Sequence, residues 1–448
     1  MTELAVRASA QAVHASASQS GEALSLRLAA LDLPKGGFSA GARQDANARL
    51  AAMGLPGPRD EYWRYTAPAV FNAPQAAAVE IPDDAQDSPL FDGIERLKLV
   101  FVDGHFDAAS SDDLSEAGIE ISTLAAAEAD GAHWAKAYYG MQEAAGQKPV
   151  LRPFAALNTL AATDGVLIRV TGKVARPVHL IYRRQAAAAD VHLHHVVRME
   201  PDSEVTLLET GLIGARSNVV IEADIADGAR LHHLMAKRAA EPKVGISYLF
   251  ARVAANALLK SFELSVSGRV MRHESIVDII GDDAVAHVAA AALGDGTQGP
   301  FHHDNTVYIT HAAERCESRQ VYKKVLKNGA VGVFQGKILV KQGAQKTDGY
   351  QISQALLLDE DSQFLAKPEL EIYADDVKCS HGSTTGALDE TALFYLRSRG
   401  VPKERAIVLL VLSFLADALE EVEDEVLRER VLERLEDWLT ERAQATSA

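Results

Sequence analysis

The sequence predicts a mainly β protein whose β core lies between two helical ends. From about Asp164 onward, short runs of β-branched and other apolar residues alternate with Gly, Asp, Asn or Pro, as strands alternate with turns. Ala- and Leu-rich stretches with helical spacing precede this core, and a second helical pattern follows Asp389. We therefore predict a mostly helical region over residues 1–155, a β core over residues 156–386 and a C-terminal helical domain over residues 387–448.

The β core contains a loosely repeated phrase made of turn residues, a small residue and a strand. It occurs at residues 201–205, 227–231, 282–285, 328–331, 342–344 and 361–364. Many short strands with tight corners favour a stacked β-solenoid, in which each coil buries its face against the next. The spacing is irregular, so a β-sandwich is the alternative on pattern alone.

The N-terminal region begins with two predicted helices. The apolar spacing of Leu24, Leu28 and Leu31 predicts the first, and the second covers residues 42–53 before a stop at Gly54.

A turn rich in Pro and Gly then leads into a group of aromatic residues. We expect Tyr62, Trp63 and Tyr65 to anchor this segment on the core, because large aromatic side chains usually do so. Residues 97–102 have the pattern of a strand, whereas residues 111–148 return to an Ala-rich helical pattern.

Three helices are predicted after the β core. Asp389 is placed to cap the first helix, which ends at Gly400. Pro402 suits the first turn of the second helix, which runs to about Leu419. This second helix is apolar on nearly all sides, so it should pack against several neighbours. The last helix covers about residues 423–444.

The charge and hydropathy of the chain exclude several functions. Its 62 acidic and 45 basic side chains give a formal net charge of −17. This argues against a nucleic-acid surface and against an anionic membrane surface, because both attract basic proteins. The longest apolar run, near residues 406–416, is much shorter than the ~20 residues that cross a bilayer. No signal peptide is found at the N-terminus, so we expect a soluble, cytoplasmic protein.

Cys316 and Cys379 are the only cysteines in the 448 residues. Two thiols do not make a disulfide framework, which fits a reducing compartment. They also cannot supply the four thiolates of an ordinary iron–sulfur cluster. Any cluster would need His or carboxylate ligands, or ligands from another chain.

The best reactive pair is Cys379 and His381, just before the β pattern gives way to helices. Side chains two residues apart on a strand share a face, so this thiol and imidazole could together hold a thiophilic metal such as iron or zinc. The alternative is a packed cysteine beside a hydrogen-bonded histidine. Two ligands alone do not complete a metal site.

Weaker candidates lie in a His-rich stretch of the β core. His302 and His303 are adjacent and face opposite sides of a strand, so only one of them can join a common site; Cys316 follows them. No histidine pair has the spacing of a zinc hydrolase motif, and each is more simply explained as a polar strand position or a buried, hydrogen-bonded histidine. No Walker A motif occurs, so the chain should not bind ATP by itself.

Several phrases of the chain resemble one known family. They are Gly-Leu-Pro at residues 54–56, Phe-Gln-Gly-Lys at 334–337, Gln-Lys-Thr-Asp-Gly-Tyr-Gln at 345–351, Lys-Cys-Ser-His-Gly at 378–382 and Phe-Tyr-Leu-Arg-Ser-Arg-Gly at 394–400. In these segments the chain resembles the SufB/SufD family of iron–sulfur cluster assembly scaffold proteins. SufB-type chains are richer in cysteine, so the two cysteines favour the SufD type, with the SufB type as the nearest alternative.

The resemblance implies a fold and a function. The family's fold, a right-handed parallel β-helix between helical end regions, favours the solenoid over the sandwich. The family's role implies a non-enzymatic subunit of a SufB–SufC–SufD scaffold that assembles iron–sulfur clusters, with ATPase activity only in a SufC-like ABC-type partner. It also implies pairing with a SufB-like chain through the β-helix, while the isolated chain could form a homodimer.

The same resemblance assigns roles to residues. His381 is the candidate ligand at the subunit interface and Cys379 is its neighbour on the same face, while the partner chain would supply the essential thiolate. A transient iron–sulfur cluster or iron would be shared between the chains, and a flavin could bind the whole complex. The ATPase would dock on the C-terminal helices, where the candidate contact residues are Asp389, Phe394, Tyr395, Arg397, Arg399 and Pro402.

Two functions of other classes stay open on the residues alone. One is a β-solenoid enzyme acting on polysaccharides, which would use clustered carboxylates. The acidic charge permits it, but the sequence has no paired-carboxylate phrase on a strand and no secretion signal. The other is a structural interaction protein without ligand chemistry, for which His381→Ala would leave cluster assembly intact.

Overall fold

The computed structural model describes residues 21–81, 89–211, 213–237, 243–266 and 268–447. Within these ranges the chain forms nine α-helices and nineteen β-strands, with four short 3₁₀ turns. The strands dominate the middle of the chain and most helices lie at its two ends, as predicted.

The helices form an N-terminal group of six and a C-terminal group of three. The N-terminal helices are α1 (residues 21–29), α2 (Ala40–Met53), α3 (Ala69–Asn72), α4 (Leu124–Ala127), α5 (Met141–Gly146) and α6 (Pro153–Ala161). The C-terminal helices are α7 (Glu390–Ser398), α8 (Lys403–Leu419) and α9 (Glu425–Ser447).

The strands are short in the N-terminal region and mostly eight to eleven residues long in the core. The first nine are β1 (Leu97–Val102), β2 (His105–Phe106), β3 (Ile119–Thr123), β4 (Val166–Val170), β5 (Val178–Arg183), β6 (Asp190–Met199), β7 (Glu204–Gly211), β8 (Arg216–Ile225) and β9 (Arg230–Lys237). The remaining ten are β10 (Val244–Val253), β11 (Leu258–Ser265), β12 (Val270–Ile279), β13 (Val285–Asp295), β14 (His302–His311), β15 (Glu317–Lys327), β16 (Val331–Val340), β17 (Asp348–Leu357), β18 (Gln363–Ile372) and β19 (Lys378–Gly386).

The strands alternate between two sheets. The ten-stranded sheet has the order β19-β17-β15-β13-β11-β9-β7-β5-β1-β2, and the nine-stranded sheet has the order β18-β16-β14-β12-β10-β8-β6-β4-β3. From β4 onward, each strand pairs in parallel with the strand two positions ahead in the chain. Coils of two strands stacked in this way make a parallel β-helix. The predicted solenoid is therefore confirmed, and the β-sandwich alternative is wrong.

The two ends of the solenoid differ. At the N-terminal end each sheet finishes with an antiparallel pair, β1 with β2 and β3 with β4. At the C-terminal end, β18 and β19 are the last strands of their sheets within the described residues. Their side chains are mostly half-buried or exposed. This end therefore presents two strand edges that no described strand covers.

An apolar core fills the solenoid between the two sheets. Alternate residues of each strand point into it, and Leu99, Leu193, Val253, Ile309 and Phe334 are fully buried there. Burying one side chain of this size contributes about 1.5–3 kcal/mol. Because strand side chains alternate between faces, the apolar residues of each strand decide which face lies inside.

The N-terminal helices cover the outer face of the nine-stranded sheet. Leu50 of α2 and Phe154 of α6 pack there with Phe250 of β10. Trp63 joins the same cluster, with its ring centroid 5.3 Å from that of Phe154 and 4.4 Å from the guanidinium carbon of Arg272. Trp63 is only 4% exposed, so the expectation that the aromatic segment anchors on the core is confirmed for this residue.

The C-terminal helices α8 and α9 cover the outer face of the ten-stranded sheet. Val411, Leu415 and Leu419 of α8 pack in one cluster with Leu435 of α9 and Val325 of β15. Helix α8 therefore packs on the sheet and on α9, as its apolar pattern predicts, although Leu409 is 36% exposed. No helix within the described ranges is long and apolar enough to span a membrane.

Corners of the solenoid use left-handed backbone. Asp202, Asn256, Asp283 and Asn328 have φ values between 55° and 59°, a region that Asn and Asp tolerate better than most other residues. Backbone bonds link successive corners, as where the Asp283 N–H donates to the Glu314 carbonyl at 3.0 Å. Three of the predicted turn phrases contain these residues, so they mark real corners.

One predicted element is partly wrong. The Ala-rich pattern over residues 111–148 forms helix only in short pieces, and strand β3 lies within it. Ile119 and Ile121 of β3 alternate with polar residues, a strand pattern that the surrounding alanines obscure. Pairing with β4 then fixes the segment as a strand, because tertiary pairing overrides weak local helix propensity.

Candidate functional site

Cys379 and His381 lie on β19, the last strand of the ten-stranded sheet. Cys379 packs against the small apolar cluster of Ile338 and Val340 inside the solenoid. His381 is two residues further on, so its side chain lies on the same face, as predicted. It is exposed because the solenoid ends at this coil. The pair therefore lies at the inner side of the open end.

The strand below this pair makes room for the thiol. Gly349 of β17 is in register with Cys379, and a Cβ atom at Gly349 would lie 3.2 Å from the Cys379 Sγ. Burial raises the pKa of the Cys379 thiol above its ordinary value, and the charge of Asp348 adds to this, although the Gly349 N–H acts in the opposite direction. The thiol is therefore protonated at neutral pH, and a bound metal would have to displace its proton.

Gln351 of β17 is in register with His381. It is fully buried, and its Nε2 donates to the Gln320 Oε1 of β15 at 2.6 Å. Gly336 on the opposite sheet is needed for this arrangement, because a Cβ there would lie 2.4 Å from the Gln351 Nε2. The phrases at residues 334–337 and 345–351 therefore meet inside the solenoid, directly behind His381.

The pair does not form a complete metal site within the part of the chain that the structure describes. Those residues contain no group of three or more His, Cys, Asp or Glu side chains placed to hold a metal ion. Cys379 and His381 offer two donors, one sulfur and one nitrogen, at an open edge. Such a pair suits a thiophilic metal whose remaining ligands come from elsewhere.

His302 lies away from this pair, on the outer face of β14. Its Nε2 is 2.8 Å from the Thr66 Oγ1, and Thr66 also donates to the Asp304 Oδ2 at 2.5 Å. Burial lowers the pKa of His302 below its ordinary value. These contacts fasten the N-terminal segment to the nine-stranded sheet. A ligand role for His302 stays a prediction.

His303 points the opposite way, into the solenoid, which confirms that His302 and His303 cannot share a site. The Lys324 Nζ lies 2.9 Å from its Nδ1 and 2.7 Å from the Asn305 Oδ1, and Glu263 is 3.5 Å from the other ring nitrogen. Burial lowers the pKa of Lys324 to about 8. His303, Lys324, Asn305 and Glu263 thus form a polar cluster that is buried in the core. The ligand role of His303 stays a prediction.

Cys316 is also separate from the pair. It is 1% exposed at a corner of the solenoid, where its Sγ lies 3.3 Å from the Gly281 and Glu314 carbonyl oxygens. Burial raises the pKa of this thiol. The surroundings are those of a packed structural cysteine, and its ligand role stays a prediction.

The candidate partner residues lie on and around α7. Asp389 caps this helix by accepting hydrogen bonds from the Thr391 and Ala392 N–H groups at 2.8 and 3.1 Å, as predicted. Phe394 and Tyr395 are 73% and 57% exposed. The exposed residues Arg397 and Arg399 follow, and Pro402 precedes the first turn of α8. The Arg399 guanidinium carbon lies 4.9 Å from the Tyr395 ring centroid.

A row of basic side chains was missed by the sequence analysis. His232, Lys260, His287 and Arg319 are in register on four successive strands of the ten-stranded sheet. We call these four residues the basic row. They lie under the α8–α9 turn. The sequence gives no sign that they lie together, because about 30 residues separate each member of the row from the next.

Two carboxylates of the α8–α9 turn reach this basic row. The Glu421 Oε2 is 2.7 Å from the His287 Nδ1. Glu423 lies 3.2 Å from the Lys260 Nζ and 3.6 Å from the His232 Nε2. The ion pair of Glu423 with Lys260 and the hydrogen bond of Glu421 with His287 hold the α8–α9 turn on the sheet.

Two family descriptions match the chain. Residues 182–414, more than half of it, match "SUF system FeS cluster assembly, SufBD core domain", and residues 38–180 match "SufBD protein N-terminal region". The first range contains the Cys379–His381 edge and most of the solenoid, and the second contains most of the N-terminal helices. Helix α9 lies outside both ranges. The chain therefore belongs to the SufBD family of the SUF system, and this membership implies a role in iron–sulfur cluster assembly.

Within the family, the chain is similar to proteins named SufD. It is 29% identical to the iron–sulfur cluster assembly protein SufD of Escherichia coli over 401 residues, which cover 86% of this chain and 90% of that protein. It is 25% identical to SufD of Bacillus subtilis over 417 residues, covering 87% and 93%. A SufBD family protein of Synechocystis is 26% identical over 401 residues, covering 85% and 86%. The predicted resemblance is confirmed.

Proposed function

We propose that this chain is the SufD-type, non-enzymatic subunit of a SufB–SufC–SufD scaffold. In this complex a SufB-like chain joins the open end of the solenoid, and a SufC-like ABC-type ATPase binds the C-terminal helices. Iron or a nascent iron–sulfur cluster is the cargo, held between the two solenoids. The observation that carries the proposal is the position of Cys379 and His381 at the uncovered edge of the last coil.

The edge of β19 supports strand-to-strand pairing. The Lys378 N–H donates to the Thr347 carbonyl at 2.8 Å, so the even-numbered residues of β19 bond to β17. In a parallel ladder the alternate residues turn their N–H and C=O groups to the other side. Cys379, His381 and Ser383 therefore offer these groups to a neighbouring chain, and an edge of this kind is a template for an added strand.

The free edge of β18 has a gap in its row of backbone hydrogen-bond donors. Its odd-numbered residues form their backbone hydrogen bonds on the side of the neighbouring strand β16. For example, the Gln363 N–H donates to the Ala330 carbonyl at 3.0 Å. Pro368 is even-numbered, so the position facing outward in the middle of β18 lacks an N–H donor. The partner strand would therefore find a fuller set of donors on β19, which also bears the candidate ligands.

A shared site fits the chemistry of the pair. One sulfur and one nitrogen donor on this chain leave room for thiolates from the SufB-like chain, which completes a ligand set of the kind that iron prefers. A site divided between two chains can open or close when the subunits move. That movement would come from ATP hydrolysis in the partner, because this chain carries no Walker A motif.

The exposed aromatic residues of α7 support ATPase docking. Phe394 and Tyr395 are among the most exposed large apolar side chains in the described residues. Aromatic residues are enriched among the residues that dominate binding energy at protein interfaces. Helix α7 follows β19 directly, so a partner bound here would lie close in sequence to the cluster edge.

Co-purification of the tagged chain from its own cell extract tests the complex, with partners identified by mass. We expect an ABC-type ATPase and a Cys-richer paralogue. Phe394→Ala with Tyr395→Ala should lose the ATPase and keep the paralogue. Ser383→Pro, which removes one outward N–H, should do the reverse, so that each variant is the control of the other. Recovery of the chain alone or only as a homodimer, under gentle conditions, would contradict the proposal.

Cluster assembly on the purified complex tests the candidate ligand. His381→Ala should retain both partners and lose most of the cluster, measured by iron content and visible absorbance. Ser380→Ala is the matched control, because Ser380 is the neighbour on the opposite face of β19. Full cluster assembly by the His381 variant would remove His381 from the site and favour a purely structural role.

A further inference from the structure

A ladder of two amides lies directly behind His381. Gln320 of β15, Gln351 of β17 and His381 of β19 occupy one register position on three successive strands of the ten-stranded sheet. The first two residues are fully buried. Neighbouring strands are about 4.8 Å apart, so the Gln351 amide lies within reach of the imidazole above it.

The Gln351 amide uses its nitrogen as a hydrogen-bond donor, and its oxygen is left without a partner. The Gln351 Nε2 donates to Gln320 on one side at 2.6 Å. The Gln351 Oε1 takes no part in this bond, and β19 is the other neighbour of β17 in the sheet. This oxygen is buried and accepts no hydrogen bond from the described residues.

The amide is also held in place. A Cβ atom at Gly336 would lie 2.4 Å from the Gln351 Nε2 and 2.8 Å from its Cδ, so the opposite sheet packs tightly against the amide. A buried polar atom without a partner is rare in folded proteins. An unsatisfied acceptor, fixed by packing and in register with an exposed imidazole, is therefore an observation that requires an explanation.

We propose that Gln351 is a positioning residue for His381. The two side chains are not hydrogen-bonded in the structure, but a rotation of the exposed imidazole brings one ring N–H to the Gln351 Oε1, and this bond fixes the tautomer and the ring orientation. The other ring nitrogen then presents its lone pair to the opening of the solenoid. Metal-binding histidines commonly donate their second ring N–H in this way, and the acceptor tunes the ligand. The metal part of this inference rests on the proposed function.

Nuclear magnetic resonance of the His381 imidazole in the isolated full chain tests the hydrogen bond without partner or cargo. In the native chain, the ¹⁵N shifts should show one dominant neutral tautomer. Gln351→Leu should return His381 to the tautomer mixture of an exposed histidine. Gln354→Leu is the matched control, because Gln354 lies on the same strand but on its outer face, and it should leave the His381 signals unchanged.

Gln351→Glu is a second variant in case the leucine variant does not fold. A carboxylate can still accept from the Gln320 Nε2, which has no partner among the described residues, so the packing should survive. The carboxylate also remains an acceptor for a His381 ring N–H, so the single dominant tautomer should persist in the ¹⁵N spectrum. A native chain with a free tautomer mixture, or a folded Gln351→Glu chain that loses the single tautomer, would overturn the proposal.

Metal binding separates this inference from the proposed function. With Co²⁺ as the probe on the assembled complex, Gln351→Leu should weaken metal binding by about 10- to 100-fold, as loss of such an acceptor does elsewhere. If His381→Ala leaves cluster assembly intact while the tautomer results hold, the proposed ligand role fails and the hydrogen bond stands. If the complex forms clusters through His381 but the tautomer is free, the positioning role of Gln351 fails alone.

Discussion

The two cysteines show how surroundings divide one residue type into different roles. Cys316 is 1% exposed and packed at a corner of the solenoid, whereas Cys379 is half-buried at its open end. Burial raises the pKa of both thiols, but only Cys379 has a route to a reagent or a metal. Its raised pKa keeps it protonated and weakly reactive until a ligand displaces the proton.

Alkylation should therefore distinguish the two thiols. In the isolated native chain we expect iodoacetamide to modify Cys379 slowly at neutral pH, with a midpoint above the value of about 8.5 for a free cysteine, and to leave Cys316 unmodified. Mass spectrometry of the time course over a pH series measures both rates. The unfolded chain is the control, in which both cysteines should react at the ordinary rate. A Cys379 midpoint below that of the unfolded chain would contradict the expected environment.

Trp63 gives a second prediction for a single residue. It is 4% exposed and packs between Phe154 and Arg272 under the N-terminal helices. Trp63→Ala should lower the free energy of unfolding by about 3–5 kcal/mol, as removal of a buried aromatic side chain does. Denaturant unfolding measures this change. Tyr65→Ala, at a half-buried position two residues on, should cost much less, and equal losses would show that Trp63 is not the anchor.

At the scale of elements, the α8–α9 turn depends on charge as well as on apolar packing. Glu421 and Glu423 meet the basic row of the ten-stranded sheet. Glu421→Gln together with Glu423→Gln should loosen the turn, because Lys260 would lose its ion pair with Glu423 and His287 its carboxylate partner Glu421. We expect hydrogen exchange of α8 and α9 to become several-fold faster. Glu425→Gln, two residues further on and exposed to solvent, is the control.

The same contact should depend on pH. Burial acts to raise the pKa of Glu421, but the hydrogen bond and charge of His287 and the charges of Lys260 and Arg319 lower it below its ordinary value. A carboxyl with a lowered pKa in the folded state stabilises above its unfolded pKa of about 4.3, and this contribution is lost as the pH falls through the folded value. Hydrogen exchange at the turn, corrected for intrinsic rates, should accelerate in that acidic range. The Glu421→Gln variant should lack this step.

The turns and helix ends could be predicted from residues close in sequence, whereas contacts between residues distant in sequence could not. Turn residues such as Asp202 and Asn328 marked the corners, and Asp389 marked the start of α7, because each acts on backbone within a few positions. The basic row and the Gln351–His381 position depend on register between strands about 30 residues apart. An irregular repeat cannot supply that register, since one additional residue would move a side chain to the other face. The resemblance identified the Cys379–His381 phrase, and the structure added its neighbours.

At the scale of the whole molecule, each group of helices packs on a different sheet of the solenoid. The N-terminal helices and the nine-stranded sheet share one apolar cluster, and the C-terminal helices and the ten-stranded sheet share another. A force applied to α8 or α9 by a bound partner would therefore reach the sheet that contains β17 and β19, where Cys379 and His381 lie. This connection gives the proposed ATPase a direct mechanical route to the open end.

The unequal ends of the solenoid have a consequence for the stoichiometry of the proposed complex. A stack of β-helices with two open ends would add subunits without stopping, since a head-to-tail contact that does not close produces a fibre. Here one end finishes in the antiparallel pairs β1–β2 and β3–β4, which cannot continue the parallel coil. In the proposed complex, growth through the open edges of β18 and β19 would therefore stop at two solenoids, whether the second is a copy of this chain or a relative.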